Sequence, residues 1–175
     1  MRRPRMVVVL HWLTVLCLML AATLILVRTQ IDGRAARQAL LEAHRHFGLA
    51  VLALFCIRVG TRLRRRRLPL ATAMSRVVRG AATAVHLALY LLLLALPMLG
   101  WALSSAEDKP VHMLGLTLPA LIQPSFDLAD RLLVWHRSAA WVLLGLASLH
   151  LVAALWHHFI LRDDVLRDML RVRRQ

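Results

Sequence analysis

Apolar residues along the chain form four long runs, and polar segments separate them. A helix needs about 20 consecutive apolar residues to cross the hydrocarbon core of a bilayer, and each run is long enough to do so. The pattern therefore predicts an all-α integral membrane protein, in which the 175 residues form a single four-helix bundle. The predicted membrane spans cover about residues 7–27, 38–60, 81–104 and 138–160.

The polar segments predict the topology of that bundle. Sixteen of the 23 basic residues, including the run RLRRRR, lie on the side that holds both termini and the tail 161–175. Basic residues favour the cytoplasmic side of a membrane, so we expect both termini in the cytoplasm. The longest segment on the opposite side is the loop 105–135, which includes the amphipathic stretch SFDLADRLLVW, and such a loop is expected to lie on the membrane as a lid over a site.

Charge and cysteine content exclude several classes of protein. A net charge of +14 would on its own favour binding to nucleic acid. The basic residues are concentrated on one predicted side of the membrane, however, so we expect no nucleic-acid partner. The chain has two cysteines and no CxxCH motif, which argues against covalent c-type haem. A chain that is 59% hydrophobic instead indicates that its surroundings are a lipid bilayer.

Histidine is the residue type that indicates chemistry. His136 and His150 lie fourteen residues apart in one apolar segment. On a helix they share one face and are separated by about 21 Å along the axis. An imidazole within a membrane helix is costly unless it has a partner. Two imidazoles on one face, near opposite membrane surfaces, are what two stacked b-type haems need from one helix.

Predicted depth in the membrane sorts the other histidines into two groups. Two six-coordinate haems need four imidazoles, and the two members of each pair must lie at equal depth. The candidate ligands are His136 with either His44 or His46 near the periplasmic side, and His150 with either His11 or His86 near the cytoplasmic side.

The remaining histidines lie near a helix end or in a loop. For His112 and His158, as for His46 if it is not a ligand, an interfacial role is the simpler interpretation. His157 follows His150 by seven residues and lies close to the same helix face, so it could instead contact a haem propionate or a quinone headgroup. His86, His157 and His158 together offer hydrogen bonds to a quinone at the cytoplasmic end.

Over nearly its whole length, the sequence resembles the bacterial dihaem cytochrome b561 family. Larger relatives of that family include the membrane cytochrome b subunits of formate dehydrogenases and nickel–iron hydrogenases. The fourteen-residue histidine spacing is the most specific match. The other matching motifs are HW at 11–12, the spacing from His44 to Gly48, Arg58, HLALYLLLLALPMLG at 86–100, GLTLP at 115–119, WH at 135–136 and GLASLHLVAALWHH at 145–158.

The resemblance implies a set of haem ligands. In the family the fourth span ligates both haems, the first span completes the cytoplasmic site and the second span completes the periplasmic one. Carried over, His11 and His150 would hold one haem iron, and His44 and His136 the other, in a bacterial inner membrane. The resemblance favours His44 because its spacing to Gly48 matches, and it gives His86 a role other than ligation.

The resemblance also implies a reaction. Superoxide would be oxidised to O₂ at the periplasmic haem, and ubiquinone would be reduced at the other end. Arg45 and Arg137 neighbour the outer ligands, where they could attract a small anion or instead pair with haem propionates. The alternative function is a quinol-linked electron-transfer subunit that serves another redox protein. A haem-free transporter of small solutes is a third class.

Overall fold

The four apolar runs each fold into one long helix. A computed structural model describes residues 5–64, 76–113 and 115–170. Its long helices are longer than 18 residues and apolar enough to cross a membrane, which confirms the predicted all-α membrane fold. The helices are α1 (Arg5–Arg28), α2 (Arg34–Leu63), α3 (Arg76–Ala106), α4 (Phe126–Phe159) and a short α5 (Val165–Leu170).

The structure differs most from the predicted boundaries at the start of α4. We expected the loop 105–135 to reach almost to His136, with the stretch SFDLADRLLVW lying on the membrane surface. The helix instead begins at Phe126, so most of that stretch forms the first turns of α4. This stretch therefore does not form a lid over a site.

A helix cap and apolar packing explain why α4 begins early. Ser125 is extended, and its side chain accepts a hydrogen bond from the backbone nitrogen of Leu128 at 3.4 Å. A serine in this position satisfies one of the free N–H groups of the first helical turn. Ala129 and Leu132 are then buried against Ala106 of α3. These contacts hold the first turns of α4 within the bundle.

A small β-hairpin lies in the connection between α3 and α4. Strands β1 (Val111–Met113) and β2 (Leu116–Leu118) pair antiparallel. The chain then returns to α3, where the backbone nitrogen of Leu121 donates to Oγ of Ser105 at 3.1 Å. The connection is therefore fastened to the end of α3 at the same end of the bundle as the start of α4.

The bundle consists of two helical hairpins. Close packing joins α1 to α2 and α3 to α4, and α2 also packs against α3. Among the described residues, α4 has no comparably close packing against α1 or α2. Large apolar side chains such as Leu16, Met19, Trp141 and Val152 are exposed on the outer faces, where a membrane protein contacts lipid. Side chains, rather than close backbone contact, bridge α4 to the α1–α2 hairpin.

Candidate functional site

Two pairs of histidines face each other between the helical hairpins. We call His44 with His136 the outer pair, and His11 with His150 the inner pair. In the outer pair the ring centroids are 6.2 Å apart and the ring planes meet at 80°. In the inner pair the centroids are 6.5 Å apart and the planes meet at 77°. Helix α4 contributes one member of each pair, and the opposing members come from α2 and α1.

The spacing of both pairs suits an iron held between the rings. With metal–nitrogen bonds of about 2 Å, and about 1.1 Å from each nitrogen to its ring centre, opposed imidazoles have centroids about 6.2 Å apart. The described residues contain no group of three or more His, Cys, Asp or Glu that could hold a metal ion on their own. Two opposed imidazoles fit haem, because the porphyrin supplies the other ligands of the iron.

His44 has one ring nitrogen available for such an iron. Its Nδ1 lies 2.9 Å from the backbone oxygen of Ala21 in α1. A carbonyl only accepts hydrogen bonds, so Nδ1 carries the proton and Nε2 keeps its lone pair. Metal-binding histidines usually donate their second nitrogen to a carbonyl or a carboxylate in this way.

The alternative outer histidine, His46, lies in a different environment. It is exposed, and its Nδ1 lies 2.7 Å from the backbone oxygen of Glu42, one turn earlier in the same helix. The ring that opposes His136 is that of His44. The geometry therefore favours His44 for the outer pair.

The ring of His136 lies directly against α3. A Cβ atom built on Gly100 would approach Cε1 of His136 to 3.3 Å, which is closer than most real contacts of this kind. His136 also lies within reach of the backbone oxygen of Leu96 in α3, although its buried Nδ1 forms no hydrogen bond of good geometry within the described part of the chain. Sequence reasoning did not single out Gly100, since no pattern within α3 indicates its contact.

At the inner pair, His11 meets a charged neighbour. Nη2 of Arg58 lies 2.9 Å from Nδ1 of His11. A guanidinium only donates, so Nδ1 of His11 accepts in this arrangement and the proton of the neutral ring lies on Nε2. Ligation of an iron through Nε2 would move that proton to Nδ1 and break this hydrogen bond, while the charge of Arg58 stays close to the ring. The guanidinium carbons of Arg58 and Arg62 lie 5.8 and 5.3 Å from the ring centroid of Tyr90, within the range of a cation–π interaction. The sequence motifs included Arg58 and Tyr90, but sequence reasoning gave neither residue a role.

His86 also lies at the level of the inner pair. Its ring centroid is 5.1 Å from that of His150, which is shorter than the roughly 6.2 Å that a metal between two opposed rings requires. Its Nδ1 lies 2.6 Å from the backbone oxygen of Ala82. The distances favour His11 as the partner of His150 and leave His86 as a neighbour of the pair.

The end of α4 and the tail meet near the inner pair. Nδ1 of His157 lies 2.5 Å from Oδ2 of Asp163. The buried Nδ1 of His158 has no hydrogen-bond partner among residues 5–64, 76–113 and 115–170. Nε1 of Trp12 donates to the backbone oxygen of Met169 at 2.7 Å, which fastens α5 beside the first turns of α1. Sequence reasoning did not foresee this fastening.

The two arginines beside the outer ligands differ in their surroundings. Arg45 forms an ion pair with Glu42 at 2.7 Å, and only 10% of its side chain is exposed. Glu42 therefore neutralises much of its charge. Arg137 is exposed, and the described residues place no carboxylate within ion-pair distance of it. Of the two cations, Arg137 is the one that can act on an anion in solution.

A second group of cations lies at the turn between α1 and α2. Arg28, Arg34 and Arg37 line one cavity there, and sequence reasoning did not single them out. Nε of Arg28 donates to the backbone oxygen of Arg37 at 3.2 Å, and Nε of Arg37 donates to that of Arg28 at 3.3 Å. Three arginines in one polar turn were the only available signal.

Comparison with known proteins identifies relatives along almost the whole chain. Residues 2–171 match the family model described as prokaryotic cytochrome b561. A probable superoxide oxidase, CybB, of Yersinia pestis is 32% identical over 165 residues, which cover 94% of this chain and 93% of the relative. Cytochrome b561 homolog 2 of Escherichia coli K12 is 36% identical over 130 residues, covering 74% of this chain and 69% of that protein. Homolog 1 of the same organism is 27% identical over 164 residues, or 92% of each chain.

Proposed function

The chain belongs to the prokaryotic cytochrome b561 family of haem-binding electron-transfer proteins of the bacterial inner membrane, and on that basis we propose that it carries electrons from superoxide to ubiquinone through two b-type haems. One observation carries this proposal. Two pairs of imidazoles oppose each other at 6.2 and 6.5 Å, at two levels of one helical bundle.

In this proposal each histidine pair holds one haem iron. His44 and His136 are the ligands of the outer haem, and His11 and His150 are those of the inner haem. A bound haem with two imidazole ligands supplies reversible one-electron transfer and has no open position for O₂. Because α4 contributes a ligand to each site fourteen residues apart, the two sites are separated by about 21 Å along its axis. The protein thereby connects the two membrane surfaces.

Superoxide is the proposed electron donor at the outer pair. The relative from Yersinia pestis is named as a probable superoxide oxidase. Arg137 and the arginines that line the cavity at the α1–α2 turn are cations at the outer end that can attract a small anion locally. Arg45 contributes less because it is paired with Glu42. Each superoxide anion loses one electron and leaves as O₂.

Ubiquinone is the proposed acceptor at the inner end. Its headgroup needs hydrogen-bond donors, and the buried Nδ1 of His158, which has no partner in the part of the chain that the structure describes, is suited to that role. His86 and His157 are further candidates for contact with it. Reduction to ubiquinol consumes two electrons and two protons, so two superoxide anions are oxidised for each quinone. The pair of His157 and Asp163 lies partly exposed at this end, where it can exchange protons with solvent.

The direction of flow depends on the proposed topology. We place the outer pair near the periplasm and both termini in the cytoplasm, because basic residues favour the cytoplasmic side. A reporter fused after Gln175 is expected to be active only in a cytoplasmic format. Activity in a periplasmic format would reverse the depth of every histidine.

A second candidate function is a quinol-linked electron-transfer subunit that serves another redox protein. The observation that favours it is the exposure of large apolar side chains at the outer end, with Phe126 85% and Trp135 55% exposed. Such side chains can dock a protein partner. The two Escherichia coli relatives are named only as cytochrome b561 homologs.

Pulses of superoxide on the purified protein in nanodiscs separate the two candidates. We expect the haem bands to shift to the reduced form after each pulse and to return only when ubiquinone is present. The rate of reduction should fall as ionic strength rises, because exposed charges are screened beyond about 10 Å at 0.1 M salt.

A matched pair of variants locates the effect of charge. Arg137→Gln should slow reduction by superoxide, whereas Arg167→Gln, exposed at the inner end, should leave its rate unchanged. A slow reduction that does not depend on salt would favour the electron-transfer subunit. A purified protein without haem bands would contradict both candidates.

A further inference from the structure

The two candidate ligands opposite α4 face groups of opposite character. Nδ1 of His44 donates to the neutral carbonyl of Ala21 at 2.9 Å. Nδ1 of His11 instead accepts from the guanidinium of Arg58 at 2.9 Å. A carbonyl acceptor makes a ligating imidazole a stronger electron donor. A guanidinium is a permanent positive charge, and it has the opposite effect.

We infer that Arg58 raises the reduction potential of the inner haem through its positive charge beside His11, and so makes the inner haem the thermodynamic acceptor of electrons from the outer one. Reduction removes one positive charge from a haem iron, so a nearby cation stabilises the reduced state. Since the ligation by His11 belongs to the proposed function, this inference rests on that proposal and deepens it.

The surroundings of Arg58 hold its charge beside His11. Arg58 is half-buried in α2, inside the predicted span 38–60, where an arginine is costly unless it has partners. The ring of Tyr90 lies under its guanidinium at 5.8 Å, so the cation contacts the negative face of an aromatic ring. Screening by solvent is weaker here than at an exposed site.

Among the described residues, no guanidinium is hydrogen-bonded to a ring of the outer pair, although Arg45 and Arg28 are close enough to act on His44 through their charge. Arg45, the cation adjacent to His44 in the chain, forms its ion pair with Glu42 at 2.7 Å. A neutralised pair has a much weaker field than a single cation. The difference in charge between the two sites therefore comes from residues of α2 and not from residues of α4.

The step that this difference drives is simple to balance. One electron leaves the outer site, which is oxidised, and enters the inner site, which is reduced. No bond forms or breaks, and no proton is required. A cation acting over about 10 Å at an effective permittivity of about 20 changes such an equilibrium by roughly tenfold.

Redox titration of the whole protein in nanodiscs tests the inference. The two haem spectra are first assigned from the His136→Ala and His150→Ala variants, each of which is expected to retain one haem. In the parent protein the inner haem should have the higher midpoint potential. Arg58→Gln should lower that potential and reduce the equilibrium ratio of reduced inner to reduced outer haem by about tenfold. Arg58→Lys, which keeps the charge, should restore most of the ratio.

Arg62→Gln is the matched control. Arg62 lies one turn further along α2 and contacts the same Tyr90 ring at 5.3 Å, yet it is not the arginine bonded to His11. It should change the ratio much less than Arg58→Gln does. An equal shift in Arg62→Gln, or no rescue by Arg58→Lys, would overturn the inference.

If Arg58→Gln loses its inner haem, the midpoint potentials of the inner and outer haems in the parent protein still test the inference. An inner haem with the lower potential would overturn the inference. So would a rise of the inner potential in Arg58→Gln, because Arg58 would then act through the proton on His11 and not through its charge. If superoxide fails to reduce the protein while these potentials shift as expected, the proposed substrate is wrong and the role of Arg58 stands.

Discussion

At the outer pair each ring has a direct contact with neutral backbone. His44 donates to the carbonyl of Ala21, and His136 lies against the bare backbone of Gly100. At the inner pair, side chains lie in contact with the two rings. His11 accepts from Arg58, and the ring of His86 lies 5.1 Å from that of His150.

The difference between the two pairs shows what each of the four helices contributes to them. Helix α4 contributes one similar ring to each pair, and its regular rise sets the distance between the two levels. Helices α1, α2 and α3 set what surrounds each ring. Changes to α4 should therefore alter how many haems are bound, whereas changes to the other helices should mostly alter how a bound haem behaves.

The largest expected effect is loss of one haem at a time. His136→Ala should remove the outer haem and His150→Ala the inner one, because each removes an axial ligand from one pair only. Haem extracted as the pyridine complex should fall from two per chain to about one in each variant. His112→Ala, in the exposed part of the β-hairpin, should keep both. Retention of both haems with unchanged spectra in either first variant would show that the pairs are not the ligand sets.

The choice between the neighbouring outer histidines gives the next effect. His44→Ala should lose the outer haem, because His44 supplies the ring that opposes His136. His46→Ala should keep both haems and at most shift the outer midpoint potential. Optical spectra and haem content distinguish the two variants. Haem loss in His46→Ala alone would reassign the ligand to His46.

A smaller effect is expected where α3 touches the outer ring. In Gly100→Ala, the new methyl group would lie 3.3 Å from His136 and must turn or displace that ring. Both haems should remain, and the electron paramagnetic resonance signal of the oxidised outer haem should shift, since it depends on the angle between the imidazole planes. Gly80→Ala, where a Cβ meets nothing within 4 Å, is the control. If the resonance signal of the inner haem shifted instead, Gly100 would not be a neighbour of the outer pair.

The smallest expected effect concerns the inner surface. Asp163→Asn removes the charge that pairs with His157. It should slow reoxidation by ubiquinone by at most about fivefold, because partly exposed ion pairs contribute about 1 kcal/mol or less. Asp164→Asn, which breaks the exposed pair with Arg167, should have no effect. Stopped-flow reoxidation measures both. Slower reduction by superoxide in Asp163→Asn would place the outer and inner ends the wrong way round.

The sequence was sufficient for the spans and for the spacing of the histidines. Hydrophobic runs and a fourteen-residue spacing between two histidines are local patterns, and helical geometry converts them directly into spans and levels. The assignment of four histidines as ligands stays a prediction, although the structure brings these four together in two pairs. The sequence left His44 and His46 open until the resemblance was considered, because two residues along a helix differ mainly in which way they face.

The contacts that distinguish the two pairs could not be predicted from the sequence. Arg58 and His11 are 47 residues apart, and their contact depends on the rotation of two helices about their axes. The same holds for Gly100 and His136. The early start of α4 was missed for a different reason: the segment from Ser125 was interpreted as an amphipathic part of the loop, whereas Ser125 caps the helix and Asp127 lies in its first turn.

The loose association of α4 with the α1–α2 hairpin has a consequence for the life of the protein in the cell. Because α2 packs against α3 but α4 packs little against α1 or α2 among the described residues, a ligand held between the histidines of these helices adds to the energy that keeps α4 in place. The folded population should then follow the supply of haem during biosynthesis. Chains made when haem is scarce would lack this contribution, and membrane proteases would remove them first. Abundance in the membrane would thus report on haem availability without any dedicated sensor.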